Sequence, residues 1–266
     1  MSEARVQLDV VDRVATVRMV RAERHNALDG AMFTALAGVG KQVADDPSVR
    51  AVVLLGEGKS FCSGLDVASF ASGEGLGMDD LMGRPDGQDA NLAQRVALQW
   101  QDLPVPVIAA VHGNCLGGGL QIALGADVRI AAPDARLAVL EVKWGLVPDM
   151  GITRSLLGLV RPDVARELTY TGRMLSGTEA AALGLVTSTA EDPVAAAQEL
   201  AAAVAARSPD AVRAAKRLYA EAPALDPRAA LALETELQVG LLGSHNQIAA
   251  VTAGMTGEPG DYHDPA

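Results

Sequence analysis

Three consecutive glycines, Gly117 to Gly119, separate a predicted buried strand from a predicted apolar helix. The strand is the apolar run PVIAAVHG over residues 106–113, and the glycines open the helix. Because glycine has no Cβ, the backbone of such a turn can approach a ligand closely. The first amides of a helix have no partner within the helix and lie at the positive end of its dipole. A turn of this kind therefore suits a negative charge that develops on an oxygen atom.

The composition is that of a globular protein without a nucleic acid partner. Of 266 residues, 49% are hydrophobic and 21% are charged, so the chain can bury a sizeable core. The net charge of −11 disfavours binding to a polyanion. Cys62 and Cys115 are too few for a disulfide framework and are predicted to be buried thiols. The segment MSEARVQLDV does not resemble a signal peptide, and no apolar run reaches the length of a membrane span. We therefore expect a soluble, cytoplasmic protein that does not bind membranes.

Apolar periodicity predicts a strand-rich first part of the chain. The predicted elements are a hairpin over 6–20, a helix over 29–43 capped by Asp29, a strand over 51–55, a helix over 91–103, and strands over 106–113 and 128–131. The strand over 51–55 is continuously apolar, which indicates burial on both faces. The Gly-rich stretch from Ser72 to Gly87 is predicted to be either a mobile loop or a substrate-dependent lid.

The character of the chain changes after about residue 188, where alanine-rich helical patterns take over. The predicted helices are 193–206, 209–220, 228–240 and 244–254. This order predicts an α/β core over residues 1–190, followed by a helical region over residues 191–266. The polar tail over 257–266 contains Gly and Pro and is predicted to be frayed.

Several short segments carry a family resemblance. They are HNAL (25–28), FCSGLD (61–66), HGNCLGGGLQ (112–121), GADVRIAAPDARL (125–137) and GLVPDMG (145–151). In this order and spacing the chain resembles the crotonase superfamily, which is the enoyl-CoA hydratase/isomerase family. The resemblance covers most of residues 5–190 and implies a ββα-spiral core with a C-terminal helical trimerisation region. It also implies an acyl-CoA substrate, no cofactor because coenzyme A is part of the substrate, and a homotrimer or dimer of trimers.

The resemblance implies an oxyanion hole made by the backbone amides of Ser63 and Gly118. Two preorganised N–H donors stabilise an enolate more than the ground-state carbonyl, and loss of one such donor costs about 3 kcal/mol. A dinucleotide site, the main alternative for a Gly-rich turn, requires a G-x-G-x-x-G spacing that is missing here. An ordinary turn for close helix packing is the other alternative.

The resemblance also implies a set of residues in contact with the acyl-CoA. These are Ala27, Leu28, Gly64, Leu65, Asp66, Gly117 and Trp144. Asp66 is better explained as a helix cap or loop-stabilising residue than as an acid catalyst, and Trp144 better as a core residue than as part of the acyl pocket. Arg24, Lys59 and Lys216 are candidate partners for the CoA phosphates, with solvated surface cations as the alternative.

The acid–base residues depart from the hydratase pattern of the family, in which two glutamates share one water molecule. Gln121 stands at the position of the first glutamate, and an amide cannot accept a proton at neutral pH. Glu141 matches the second glutamate and is implied to be the base. Asp149 lies eight residues after Glu141, where dienoyl-CoA isomerases of the family carry an aspartate. It could instead be a turn residue or the N-cap of the next helix. Gln121 would then position substrate or water.

This pattern favours double-bond isomerisation of an enoyl- or dienoyl-CoA over hydration. Hydration by Glu141 together with Asp149 remains an alternative, as do thioester hydrolysis and acyl-CoA binding without turnover. The four histidines show no metal-ligand spacing, so we expect no metal site.

Overall fold

Two β-sheets form the framework of the computed structural model, which describes residues 4–71 and 76–265. The strands are β1 (Val6–Val11), β2 (Val14–Met19), β3 (Ala51–Gly56), β4 (Val107–Val111), β5 (Asn114–Leu116), β6 (Val128–Ala131), β7 (Arg136–Ala138), β8 (Leu175–Ser176) and β9 (Ser188–Thr189). The larger sheet has the order β1-β2-β3-β4-β6-β9, and the smaller has the order β5-β7-β8. The β1–β2 pair is antiparallel and the other pairs of the larger sheet are parallel. The carboxyl ends of β3 and β4 therefore lie at the same edge, where the two glycine-containing loops begin.

Helices surround these sheets and continue to the end of the chain. They are α1 (Gly30–Asp45), α2 (Val67–Ala71), α3 (Met78–Met82), α4 (Leu92–Asp102), α5 (Gly118–Leu124), α6 (Ile152–Ser155), α7 (Pro162–Thr171), α8 (Gly177–Ala182), α9 (Pro193–Ala205), α10 (Pro209–Glu221), α11 (Pro227–Leu241) and α12 (His245–Thr256). Short 3-10 helices cover Ala22–Arg24, Glu141–Trp144, Leu156–Gly158 and Ala222–Ala224. No helix within residues 4–71 and 76–265 is both long enough and apolar enough to cross a membrane.

Local sequence signals match the observed elements. The predicted hairpin over residues 6–20 is confirmed as β1 and β2, which pair in register from Val6 with Met19 to Val11 with Val14. Helix α1 is capped by Asp29, as predicted, because its Oδ1 accepts a hydrogen bond from the Met32 amide at 2.8 Å. Every residue of β3 is buried, in agreement with its continuously apolar sequence.

The larger sheet is covered on both faces. On one face, α1, α4 and α5 contribute large apolar side chains such as Leu36, Trp100 and Ile122 to the main core. On the other face, α9 packs the small residues Ala197 and Ala201 against β3 and β4. Helix α9 thus shares a core with the sheet, while the predicted division of the chain at residue 190 into two domains stays a prediction.

Lys216 attaches α10 to the body of the protein. Its Nζ donates to the carbonyls of Trp100 and Val105 at 3.0 and 2.8 Å, and to Oδ2 of Asp127 at 2.7 Å. Burial lowers the pKa of Lys216, and the ion pair with Asp127 opposes that effect. The predictions that Lys216 binds a phosphate or lies in solvent are wrong, because its three N–H donors are used inside the protein.

The C-terminal tail is held by hydrogen bonds, so the prediction that it frays is wrong for residues 261–265. Arg50 donates to Oδ1 of Asp264 and to the carbonyl of Tyr262, both at 3.0 Å. The side chain of Asn246 bonds both the amide and the carbonyl of His263. Gly and Pro in this tail indicate a lack of regular structure, but they carry no information about such long-range contacts.

The predicted mobile loop or lid over 72–87 is described only in part. Residues 72–75 lie outside the described ranges. Residues 78–82 form the short helix α3, whose first turn is stabilised by a hydrogen bond from the Gly77 amide to Oδ2 of Asp80 at 3.0 Å.

Candidate active site

Three backbone segments, 25–28, 61–66 and 112–118, lie side by side at the start of α5. The bonds between them are Phe61 N to His112 O at 2.8 Å, Cys62 N to Asn114 O at 2.9 Å, Leu116 N to Cys62 O at 3.0 Å, Leu28 N to Gly64 O at 2.8 Å and Asp66 N to Leu28 O at 3.0 Å. The segments that carry the sequence motifs are thus joined by main-chain hydrogen bonds into one rigid edge.

Two glycines allow this close approach. Gly64 has a φ of +91°, and a Cβ there would lie 2.8 Å from the carbonyl oxygen of Leu116. A Cβ on Gly119 would lie 2.5 Å from the carbonyl oxygen of Cys62. Both distances are shorter than carbon–oxygen contact permits, so any side chain at either position would push the two loops apart.

The two predicted oxyanion donors, Ser63 and Gly118, lie on these adjoining loops. Gly118 is the first residue of α5, so its amide has no carbonyl partner within the helix. The Ser63 amide donates to the carbonyl of His25 at 3.0 Å. An incoming oxygen would therefore share the Ser63 N–H with this carbonyl or replace it.

The segment 25–28 is held in place by the side chain of Asn26, which is completely buried. Its Nδ2 donates to the carbonyl of Ser60 at 2.8 Å, and its Oδ1 accepts from the Arg21 amide at 2.9 Å. Asn26 itself has a φ of +54°, a conformation that Asn adopts more readily than most residues. These bonds explain why Asn26 is completely buried although the preceding residues of the same turn, Arg24 and His25, are exposed.

Arg21 connects the same segment to the neighbouring segment 61–66. This arginine is buried, and it donates to the carbonyl of Ala27 at 3.0 Å and pairs with Oδ2 of Asp66 at 2.8 Å and of Asp29 at 3.4 Å. Burial alone would raise the pKa of Asp66, but the hydrogen bond and charge of Arg21 lower it overall. Asp66 Oδ1 also accepts from the Ser69 amide at 3.2 Å, so Asp66 stabilises the loop, as predicted.

Glu141 lies against the glycine run, at the start of a 3-10 helix. A Cβ on Gly117 would be 3.3 Å from Oε1 of Glu141. Oε1 accepts a hydrogen bond from Nε2 of Gln121 at 2.7 Å, whereas Oε2 is buried and has no hydrogen-bond partner among the described residues. Burial raises the pKa of Glu141 and the charge of Asp149 adds to this, while the bond from Gln121 opposes it. Glu141 is thus a half-buried carboxylate with one unpaired oxygen and not a surface charge, while its role as the base stays a prediction.

Asp149 is half-buried on the loop that ends this segment, and its burial raises its pKa. The alternative prediction that Asp149 caps the next helix is wrong, because Gly151 occupies the N-cap position of α6. Burial is the main cause of the raised pKa of Glu141, and the negative charge of Asp149 adds to it. The role of Asp149 in proton transfer stays a prediction.

Gln121 is only 2% exposed and lies in the first turns of α5. Its Nε2 donates to Glu141, and its Oε1 accepts a hydrogen bond from the Met150 amide at 2.9 Å. Each end of the amide therefore has a protein partner, whereas the sequence predicts a residue that holds substrate or water.

The remaining predicted contact residues differ in exposure. Ala27 and Leu28 are buried, and Leu65 forms a backbone bridge with Leu28. Trp144 is 59% exposed, so the prediction that it packs in the core is wrong. It lies in the 3-10 helix next to Glu141, on a surface segment where Leu146 and Val147 are also exposed. The cysteines Cys62 and Cys115 are buried thiols, as predicted, and burial raises the pKa of Cys62 to about 12.

Comparison with known proteins decides the family. The sequence profile of the enoyl-CoA hydratase/isomerase family matches residues 10–257. The chain belongs to the enoyl-CoA hydratase/isomerase family. It is 33% identical to the short-chain-enoyl-CoA hydratase of Clostridium acetobutylicum, over 93% of both chains. It is 34% identical to the mitochondrial Delta(3,5)-Delta(2,4)-dienoyl-CoA isomerase of Mus musculus, over 76% of this chain and 64% of the mouse protein.

Solved structures of this family confirm the predicted fold class. The crystal structure of an enoyl-CoA hydratase from Bacillus anthracis aligns with a TM-score of 0.88 at 28% identity, over 98% of this chain and 100% of that one. The family member described here therefore has the crotonase fold, with an α/β core followed by C-terminal helices.

The sequence prediction assigned no role to some residues that shape the site of this hydratase/isomerase family member. Arg21, Asn26 and Met150 are three of them, and their partners are distant in sequence or are backbone groups. Asn26 and Met150 lie within the family motifs HNAL and GLVPDMG, which indicate that these segments belong to the site but not what the two residues contact. No group of three or more His, Cys, Asp or Glu residues in the described part of the chain could hold a metal ion.

Replacing Glu141 with Gln should make this protein more stable at neutral pH. Because the pKa of Glu141 is raised in the folded state, the folded protein binds this proton more tightly than the unfolded chain. The contribution of Glu141 to the free energy of unfolding is therefore complete below its pKa in the unfolded chain. It is lost as the pH rises through its pKa in the folded protein. Thermal melts of wild type and Glu141→Gln should diverge from the usual glutamate pKa of about 4.3 upwards. The exposed Glu234 provides the control, as Glu234→Gln. Parallel pH curves for wild type and Glu141→Gln would contradict the expectation.

Proposed function

We propose that this protein is an acyl-CoA isomerase that moves a double bond of an enoyl- or dienoyl-CoA. The observation that carries this proposal is the hydrogen bond from the Gln121 amide to Glu141 at 2.7 Å. It places a neutral group where the hydratases of the family use a carboxylate. Proton transfer then depends on Glu141 and on Asp149, whose charge acts on it.

Water addition by the two-glutamate route requires two carboxylates around one water molecule. Here one of these positions is an amide that cannot take up a proton at neutral pH. Its oxygen accepts from the Met150 amide, and Gln121 is almost completely buried. Isomerisation needs a single base that removes and returns a proton, and Glu141 with its unpaired Oε2 supplies such a base.

The oxyanion loops would stabilise the intermediate of this reaction. The thioester oxygen would accept a hydrogen bond from the amide of Gly118, and a second from Ser63 once the carbonyl of His25 shares or releases that N–H. Donors of this kind act most strongly on the enolate, because the negative charge develops on that oxygen. The main-chain bonds between the loops hold the two amides near each other before the substrate binds.

The proton route balances without any further reactant. Oε2 of Glu141 removes a proton from the carbon next to the thioester, and the electrons of that C–H bond form the enolate while the carbonyl electrons move to oxygen. The negative charge spreads along the conjugated chain. Glu141 or Asp149 then returns the proton to a carbon further along, and the double bond shifts. The raised pKa of Glu141 brings this base closer to neutral pH, where proton transfer is most efficient.

The mouse dienoyl-CoA isomerase supports the proposal as a relative named for this reaction class. Its similarity to this chain is comparable to that of the named hydratases, so sequence identity alone does not separate the two reactions. The amide at position 121, where the hydratases use a carboxylate, favours isomerisation over hydration.

Hydration by Glu141 with Asp149 is the second candidate function. It is favoured by the hydratase of Clostridium acetobutylicum, which aligns over 93% of this chain. In this route Glu141 would activate the water and Asp149 would deliver the proton to the α-carbon.

The test is the conversion of a panel of 3-enoyl-, 3,5-dienoyl- and 2-enoyl-CoA thioesters by the purified protein, analysed by liquid chromatography and mass spectrometry. We expect isomers of unchanged mass from the 3-enoyl or 3,5-dienoyl substrates. Products heavier by one water would support hydration instead, and free CoA thiol would indicate a thioesterase. Binding of every substrate without turnover would make the protein an acyl-CoA-binding homologue without catalytic activity.

The proposed reaction uses no cofactor, because coenzyme A is part of the substrate. We propose that the protein works as a homotrimer or a dimer of trimers joined through residues 191–266. Exposed apolar residues on α11 and α12, including Leu231, Val239 and Ile248, support this assembly. Light scattering on the purified protein measures the subunit number.

A further inference from the structure

Gln121 connects two parts of the proposed active site. From the buried first turns of α5, it reaches Oε1 of Glu141 with Nε2 at 2.7 Å and the Met150 amide with Oε1 at 2.9 Å. Met150 directly follows Asp149 in the chain. One side chain therefore sets the position of Glu141 relative to the loop that carries the second carboxylate.

The orientation of the Gln121 amide follows from its partners. The Met150 amide is a backbone N–H and can only donate, so it must face the oxygen of Gln121. The nitrogen then faces Glu141 and donates to it, whether Glu141 is ionised or not. An apolar residue at position 121 could make neither bond, and a carboxylate could accept from Met150 without donating to an ionised Glu141.

The bond from Gln121 also gives the two carboxylate oxygens of Glu141 different roles. Oε1 is held by Gln121 beside Gly117, where a Cβ would be 3.3 Å away. Oε2 is buried and has no hydrogen-bond partner among the described residues. Burial of an acceptor without a hydrogen-bond partner destabilises the folded protein, so such an atom calls for a functional explanation. Oε2 is the oxygen of Glu141 that is free to take a proton from the substrate.

We propose that Gln121 is a positioning residue, which aims Oε2 of Glu141 at the substrate and holds the Asp149–Met150 segment at a fixed distance from it. The inference rests on the proposed isomerase function, because it assigns Glu141 as the base. It differs from the sequence prediction, in which Gln121 would hold substrate or water itself.

The charges around Glu141 show why an amide suits this position. Burial raises the pKa of Glu141 and the charge of Asp149 adds to this, whereas Gln121 lowers that pKa through its hydrogen bond. A second carboxylate at 2.7 Å would share one proton with Glu141. The neutral donor keeps Glu141 ionised, and therefore able to accept a proton, over a wider range of pH.

The test compares wild type with Gln121→Met, which removes both bonds at nearly constant volume. We expect kcat to fall about 10- to 100-fold, because the base is no longer aimed, with KM little changed. The acid limb of kcat/KM against pH should move to higher pH, because loss of the donor raises the pKa of Glu141. The control is Gln99→Met, since Gln99 donates to the carbonyl of Leu36 in the α1–α4 contact and not in the proposed site.

A second variant, together with a measurement that does not require substrate conversion, completes the test. Gln121→Glu keeps the acceptor for Met150 but replaces the neutral donor with a carboxyl group that shares one proton with Glu141, so the acid limb of the pair should also move to higher pH. With ¹³C-labelled glutamate, the carboxyl resonance of Glu141, assigned by its loss in Glu141→Gln, should titrate at higher pH in Gln121→Met. Loss of kcat with an unmoved pH profile and an unmoved titration would overturn the inference. If wild type isomerises no substrate, the proposed function fails, whereas the Glu141 titration still tests the contact between Gln121 and Glu141.

Discussion

Glu141→Gln is expected to lower kcat by about 10²- to 10⁴-fold, the usual contribution of a positioned general base. The substitution keeps the size of the side chain and an oxygen that can accept the hydrogen bond from Gln121. It removes the capacity of Oε2 to take a proton. Because no binding contact is lost, the dissociation constant for an acyl-CoA should change little.

Steady-state kinetics on the best substrate of the panel, together with calorimetric titration of a saturated acyl-CoA, measure the two quantities separately. Glu234→Gln serves as the control, since this exposed residue of α11 lies outside the proposed site. Retention of more than about a tenth of the wild-type kcat would exclude Glu141 as the principal base. Weaker acyl-CoA binding in proportion to the loss of kcat/KM would instead assign Glu141 to substrate binding.

Gly119→Ala is expected to reduce both activity and stability. The new Cβ would lie 2.5 Å from the carbonyl oxygen of Cys62, so the loops that carry Ser63 and Gly118 would have to separate. Overpacking of this kind costs about 1–3 kcal/mol of unfolding free energy. A displacement of about 1 Å between catalytic groups can cost 10²-fold in rate, so kcat/KM should fall by at least that order.

Gly38→Ala is the matched control for this substitution. Gly38 also lies within a helix, α1, but a Cβ there would meet no atom within 4 Å. The same chemical change should raise the unfolding free energy by about 0.5–1 kcal/mol, because alanine favours the helix more than glycine does. Urea denaturation of both variants gives the comparison. A Gly119→Ala protein as stable and active as Gly38→Ala would show that the two loops need not approach so closely.

Much of the fold follows from local patterns in the sequence. The hairpin, the capped helix α1 and the buried strand β3 depend on alternation, on an N-cap residue and on continuous apolar character, and each of these acts over a few residues. The motif-bearing loops follow strands β3 and β4, and parallel pairing brings such loops to the same sheet edge. For this reason the meeting of the loops was predictable, as was the presence of Glu141 near the glycine run through the family resemblance.

Side-chain roles that depend on distant partners were not predictable in this way. Trp144 lies on the surface although large aromatic residues usually lie in cores, and the C-terminal tail is tied down by Arg50 and Asn246 despite its Gly and Pro content. Asp149 looked equally like a helix cap until the structure placed Gly151 at that position. Each outcome depends on which surfaces meet in three dimensions.

The sequence by itself determined the family, the glycine turn and the presence of an amide in place of one hydratase carboxylate, because these features reside in the identity and order of neighbouring residues. Only the tertiary structure decided what that amide does. Gln121, Glu141 and Met150 come from three separate segments, and hydrogen bonds act only over about 3 Å. Their contact exists because the fold brings α5, the 3-10 helix and the following loop together. No local pattern in the sequence specifies the distances between these three residues.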